Sequence, residues 1–166
     1  MFSFVVTEEQ LAKFKERART AIKEGVIGPG ILPAYQALFD APGIAPMQSC
    51  EGHDNVTHKV VFDGKTTVVV VRSHPYVIVA VTAKGLSYID AIGYCLQRQS
   101  ADYIWQINVS RLNDPTRENK SSHVPYWAWK ICSINRINSD GGTMEERGQR
   151  LNAAILEAIE IVKNKH

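Results

Sequence analysis

The sequence lacks the features that mark membrane, secreted and fibrous proteins. No apolar run approaches the ~20 residues that a bilayer-spanning helix needs. The opening residues, Met-Phe-Ser-Phe-Val-Val-Thr-Glu-Glu, carry neither the basic start nor the apolar stretch of a secretory signal, so a soluble, cytoplasmic protein is expected. Cysteine is scarce: Cys50, Cys95 and Cys132 are odd in number and widely spaced, which excludes a disulfide-stapled scaffold and makes reduced thiols the expectation. Charge of one sign is also missing. With 19 Lys and Arg against 17 Asp and Glu, the net +2 is too small for wholesale attraction to nucleic acid or membrane, and a charge-driven partner must be met by a local patch. Neither an internal repeat nor a low-complexity linker divides the 166 residues, and 45% hydrophobic content suffices for one core, so residues 1–166 read as a single domain.

What is present is periodicity. Thr7-Glu-Glu-Gln10 fits a capping box, and Leu11, Phe14, Ala18, Ala21 and Ile22 predict a helix over 8–23, ended by Gly25 and Gly28-Pro29-Gly30. A shorter helix is predicted over 31–39, with Tyr35, Leu38 and Phe39 inward. Asp40-Ala41-Pro42-Gly43 then stops the chain ahead of a strand over 44–49. Strands over 58–62 and 66–71 flank Asp63-Gly64, a strong hairpin signal, and a third follows over 76–82. Val68 to Val71 and Val77 to Val81 are nearly continuous rather than alternating, so at least one is expected to be a central strand buried on both faces. A helix over 87–98 carries Cys95 on its apolar stripe. Strands follow over 105–109 and 124–134, separated by an irregular polar loop over 112–122. Thr143-Met-Glu-Glu146 opens a C-terminal helix with Leu151, Ile155, Ala158, Ile159 and Val162 inward. The order predicts an α+β fold, its helices packed against a mainly antiparallel or mixed sheet.

The candidate site is the turn Ser49-Cys50-Glu51-Gly52-His53 at the end of the first strand. It puts a thiol, a carboxylate, a flexible glycine and an imidazole together, and four readings compete. Cys50 and His53 have a spacing that offers two ligands to zinc, but Cys132, His58, His74 or His123 would have to complete the set from elsewhere. No second tight pair exists, so no resident metal is expected. Cys50 could act as a nucleophile activated by His53. Ser49, Glu51, the amides around Gly52 and a protonatable His53 could hold an anionic or nucleotide-like ligand without chemistry. Alternatively, Cys50 is a small buried residue and Gly52 merely permits a left-handed turn.

A second segment is Tyr126-Trp127-Ala128-Trp129-Lys130. In a strand, both indoles share one face, which reads either as core or as an interaction surface for a partner or inhibitor role. Its surroundings are basic. Arg111, Arg117, Lys120, Lys130 and Arg136 outnumber Asp114 and Glu118, so Arg111 and Lys130 are candidates for holding a nucleotide or RNA beside an aromatic plane.

Residues 31–109 resemble the wybutosine-synthesis tRNA methyltransferase family, in which a helix leads into a strand ending in Ser-Cys-Ser-Gly-Arg. Here the motif stands as Ser49-Cys50-Glu51-Gly52-His53, followed in similar order by a valine-rich strand, Tyr76-Val-Ile-Val-Ala-Val, and a helix beginning near Gly85-Leu86. His53 replaces the family's arginine. The resemblance implies a related α+β fold and a pocket for S-adenosylmethionine or a nucleotide near residues 49–53. The chain is also similar to small uncharacterised proteins, some phage-borne, with a Ser-Cys-x-Gly-His turn.

Overall fold

The computed structural model describes residues 4–99, 101–112, 125–139 and 141–165. The chain is α+β, as the order of elements predicts. Helix α1 (Glu8–Glu24) starts at the capping box: Thr7 Oγ1 accepts from the Gln10 amide at 3.1 Å and Gln10 Oε1 accepts from the Thr7 amide at 3.0 Å. It stops at Gly25, whose φ of +67° suits a residue without Cβ. Helix α2 (Leu32–Asp40) follows, with Pro33 in its first turn, where a missing amide proton costs nothing. Tyr35 and Leu38 are buried, whereas Phe39 is only half covered, under Lys15 and Arg19.

Four strands form the main sheet in the order β1-β4-β6-β5: β1 (Ile44–Cys50), β4 (Tyr76–Val81), β5 (Tyr103–Leu112) and β6 (Tyr126–Asn135), all neighbours antiparallel. Between β1 and β4 the chain makes a separate two-stranded ribbon, β2 (His53–Phe62) and β3 (Lys65–Ser73). Asp63 and Gly64 close it with φ of +51° and +74°, both positive as a tight right-twisted hairpin requires. A 3-10 turn (Ala83–Gly85) leads into α3 (Leu86–Gln97), and α4 (Met144–Asn164) ends the described chain. The irregular loop expected over 112–122, with His123 beyond it, lies almost wholly outside the described residues.

The sheet is covered unequally. Val77, Val79, Val81 and Ile131 point to one face and pack with Ile92, Leu151 and Ile155 beneath α2, α3 and α4. On the other face α1 brings Leu11 and Phe14 onto Ala45, Ala80, Ala128 and Tyr126. It covers only that end. Further along the same face, the cross-strand row Cys50, Tyr76, Cys132 and Gln106, and next to it Ile78, Lys130 and Asn108, are half-buried to exposed.

Of the two valine runs, only the second is central. β4 has a strand on each side and layers above and below, and Val77, Val79, Ala80 and Val81 are sealed from solvent. Val68 to Val71 stand in the ribbon, paired among the described residues with β2 alone, and exposed.

Candidate functional site

The turn between β1 and β2 is where the body and the ribbon meet, and the structure divides its residues among three environments. Ser49 is opposite Val77, on the helix-covered face. Cys50 is opposite Tyr76, on the other face, where its Sγ lies 3.4 Å from Ser73 Oγ and accepts from the Gly52 amide at 3.4 Å. His53 is not among its partners. The pairing of a nucleophilic thiol with that imidazole is therefore absent from this arrangement. Tyr76, with its phenol pKa raised by burial and then by the Cys50 thiol, stands between Cys50 and Cys132 in the sheet. Two strand spacings, roughly 10 Å, separate the two cysteines, beyond the ~7 Å a disulfide spans.

Glu51, Gly52 and Asp54 are committed to the joint. The Glu51 carboxylate folds back to accept from the Gly30 amide, and a Cβ on Gly28 or Gly30 would sit within 2.9 Å of that carboxylate oxygen. Gly52 has φ of +91°, and a side chain there would meet the Met144 carbonyl. Its partner is Gly148 of α4, whose Cα passes so close to the Glu51 carbonyl that no Cβ fits. The motif's glycine thus docks the turn against a helix. Asp54 accepts from the amides of Met144 at 2.8 Å and Glu145 at 3.4 Å, supplying α4 with a cap from a distant strand, while Thr143 Oγ1 takes the Glu146 amide at 3.0 Å. The Met144 amide chiefly holds the Asp54 carboxyl below its ordinary range, although desolvation opposes this, and the Glu145 amide and Arg72 add to it.

These contacts leave a cleft of about 500 Å³ between the turn and the first turns of α4. Pro29 and Gly30 form one wall, Gly52, His53 and Asn55 another, and Glu145 and Gln149 a third. Its charged lining is acidic, from Glu51, Asp54 and Glu145, of which Asp54 is paired with Arg72 Nε at 3.6 Å. The exposed His53 is the protonatable group at its edge. The amides the sequence offers to an anion are engaged: Gly52 with Cys50, Gly30 with Glu51, and the start of α4 with Asp54 and Thr143.

Behind the joint lies a buried polar cluster that sequence reasoning missed. Arg147, fully enclosed, donates to the Gly141 carbonyl at 3.0 Å and to Asn135 Oδ1 at 2.6 Å, and stacks 4.3 Å from the Tyr103 ring. Its Nη1 lies 3.3 Å from both Ser133 Oγ and His74 Nδ1. A guanidinium only donates, so His74 Nδ1 is the acceptor in that contact, with Ser133 Oγ also 3.1 Å from it. Burial first, then Arg147 and Arg72, depress the His74 pKa, against a hydrogen bond with the Ser133 backbone that raises it. The signal was in the sequence: Arg147, Leu151 and Ile155 follow helical spacing on the buried stripe of α4.

The other candidate residues lie apart. Lys130 is on the half-open sheet face with Cys50, its Nζ 4.7 Å from the Tyr76 ring. Arg111 faces the opposite side, over Trp127 at 5.7 Å, and lies five residues beyond Gln106 along β5, roughly 17 Å at ~3.4 Å per residue. The structure does not gather Arg111, Lys130 and the turn into one pocket. Trp127 and Trp129 are half-buried: Phe4 packs edge-on against Trp127 at 4.8 Å, and Trp129 Nε1 donates to the Phe4 carbonyl at 3.1 Å. Cys95 is core, its thiol pKa pushed up by burial. Among the described residues, no three His, Cys, Asp or Glu side chains converge to hold a metal ion, and no helix is long and apolar enough to cross a membrane.

No family model and no curated protein matches the chain. Among solved structures, the chain is similar to the PH1069 protein from Pyrococcus horikoshii, with a TM-score of 0.54 over 96% of this chain and 95% of that one at 9% identity, a likeness of fold.

Proposed function

We propose that the cleft between residues 51–55 and α4 binds a nucleotide-like ligand carrying a cationic centre, and that the protein is a transferase-like domain acting on a nucleotide or RNA. The acidic lining of a ligand-sized cleft carries this reading. A phosphate would meet the Glu145 carboxylate beside those of Glu51 and Asp54, with the Gly30, Gly52 and Met144 amides already engaged, whereas a sulfonium or ammonium group would find compensating charge. The sequence leads to the expectation of an anionic or nucleotide-like ligand; the acidic lining favours the nucleotide-like alternative and departs from the anionic one, so any anionic part would face away from Glu51 and Glu145. S-adenosylmethionine, which the sequence resemblance implies, has both cationic groups and is the first candidate. Bound there, it would supply an activated methyl group. The residues of this chain would position it, with Glu145 facing the positive charge and His53 available at the rim to exchange a proton.

Calorimetric titration with S-adenosylmethionine and with S-adenosylhomocysteine, which lacks only the sulfonium methyl and its charge, tests the reading. The charged ligand should bind at least about tenfold tighter, within the 1–3 kcal/mol of a charge-assisted contact, and Glu145→Gln should narrow the gap. His53→Ala should weaken binding without lowering the melting temperature. Equal binding of the two ligands, preference for AMP or orthophosphate, or no binding at all would overturn it.

A further inference from the structure

The ribbon β2-β3 is the feature that neither the body of the fold nor the cleft explains. Among the described residues its strands pair beyond the base only with each other, yet Val60, Val61, Phe62 and Val68 to Val71 are all exposed, from 37% at Val71 to 81% at Phe62. The register places Val60, Phe62, Val69 and Val71 on one face and Val61, Val68 and Val70 on the other, so both sides are apolar. A two-stranded ribbon is marginal in water without a third strand or a covering layer. Residues 66–71, Thr-Thr-Val-Val-Val-Val, present a strand edge that no other strand among the described residues covers, without a charge or proline, although such edges are ordinarily blunted by one or the other.

We propose that the free edge of β3 pairs with β3 of a second copy across a two-fold axis, joining two ribbons into a four-stranded antiparallel sheet and making this chain a dimer. Two observations select a second copy as the occupant. First, the surface is complementary to itself: over residues 55–71 the only charges are Lys59, Asp63 and Lys65, and the free edge of β3 is uniformly β-branched from Thr66 to Val71. A two-fold contact requires that kind of match between identical patches. Second, the apolar side chains run up to that edge on both faces, Val69 and Val71 on one and Val68 and Val70 on the other, so a second β3 paired there sets each face beside its own copy. β3 is the pairing edge because β2 interrupts its own with His58 and Lys59.

Sedimentation velocity of the full chain between about 1 and 100 μM, a range bracketing a micromolar dissociation constant, should show a monomer-dimer equilibrium. Val70→Lys, at a position 61% exposed in the single chain, should weaken the dimer at least 100-fold and leave the far-ultraviolet circular dichroism of the body unchanged. Should that variant misfold, replacing residues 57–70 by an Asn-Gly turn provides the second test, since it removes the arm and should yield a folded monomer. Isotope-filtered NOEs between labelled and unlabelled copies should fall within residues 66–71. A wild type monomeric throughout the range, a dimer that survives either variant, or open-ended assembly through both ribbon edges would overturn the proposal.

Discussion

Two valine-rich strands, β3 of the ribbon and β4 of the main sheet, meet opposite fates. Val68 to Val71 stand in solvent, while Val77, Val79 and Val81 form the centre of the molecule. The residue types hardly differ; the neighbours do. β4 lies between β1 and β6 with helices on both sides, whereas among the described residues β3 has one neighbour and no core cluster above or below. Burial is a property of topology that a run of β-branched residues makes possible but does not assign. Between the two runs sits the joint, with Gly52 against Met144, Gly148 against Glu51 and Asp54 on the start of α4.

The comparison breaks most severely at that joint. Gly148→Ala places a methyl group on the Glu51 carbonyl, where backbone rather than a flexible side chain must yield, and should cost at least about 3 kcal/mol in urea denaturation, the upper end of overpacking penalties. A more direct contrast uses one chemical change at both valine sites. Val79→Thr buries a hydroxyl at a sealed position and should cost about 1–3 kcal/mol, while Val70→Thr, measured in the same assay at concentrations where the chain is monomeric, should stay within about 0.5 kcal/mol. Asp54→Ala should remove about 1 kcal/mol by uncapping α4.

The smallest effects are those of pH. His74 has a folded-state pKa depressed below its ordinary 6.5, so its contribution to stability is complete above that value and is lost as pH falls from about 6.5 through the folded pKa. Asp54, depressed from 3.8, adds a second loss that begins only near pH 4 and continues as pH drops through its folded value. Denaturation midpoints measured between pH 8 and 3 should therefore decline in two stages. His74→Asn should flatten the first, and Asp54→Asn the second.

The elements legible in the sequence are those that short-range chemistry specifies. Thr7 with Gln10, Thr143 with Glu146, and Asp63 with Gly64 each act within a few residues, and the helices and hairpin they announce are present. The turn at residues 49–53 was legible as unusual, but its division was not. Alternation along β1 sends Ser49 and Cys50 to opposite faces, and a register shift between Pro46 and Gln48 sets which face each takes. The capping role of Asp54 was invisible because its acceptor oxygens meet amides 90 residues further on. Arg147 could have been found from the buried stripe it shares with Leu151 and Ile155, had charge not argued against burial.

The ribbon also bears on how the sheet assembles. Pairing β1 with β4 brings Ile44 against Val81 across a long intervening chain, an entropically slow closure if that chain is loose. The Asp63-Gly64 turn removes most of the slack, because a hairpin nucleated there can form in about 1–10 μs from contacts adjacent in sequence. Zipping then proceeds from Phe62 and Lys65 down to His53 and Ser73, and only Glu51-Gly52 and His74-Pro75 remain to be crossed before Cys50 meets Tyr76. The part of the molecule least buried at the end is thus the part best placed to be ordered first, and substitutions at its turn should slow refolding more than they hasten unfolding.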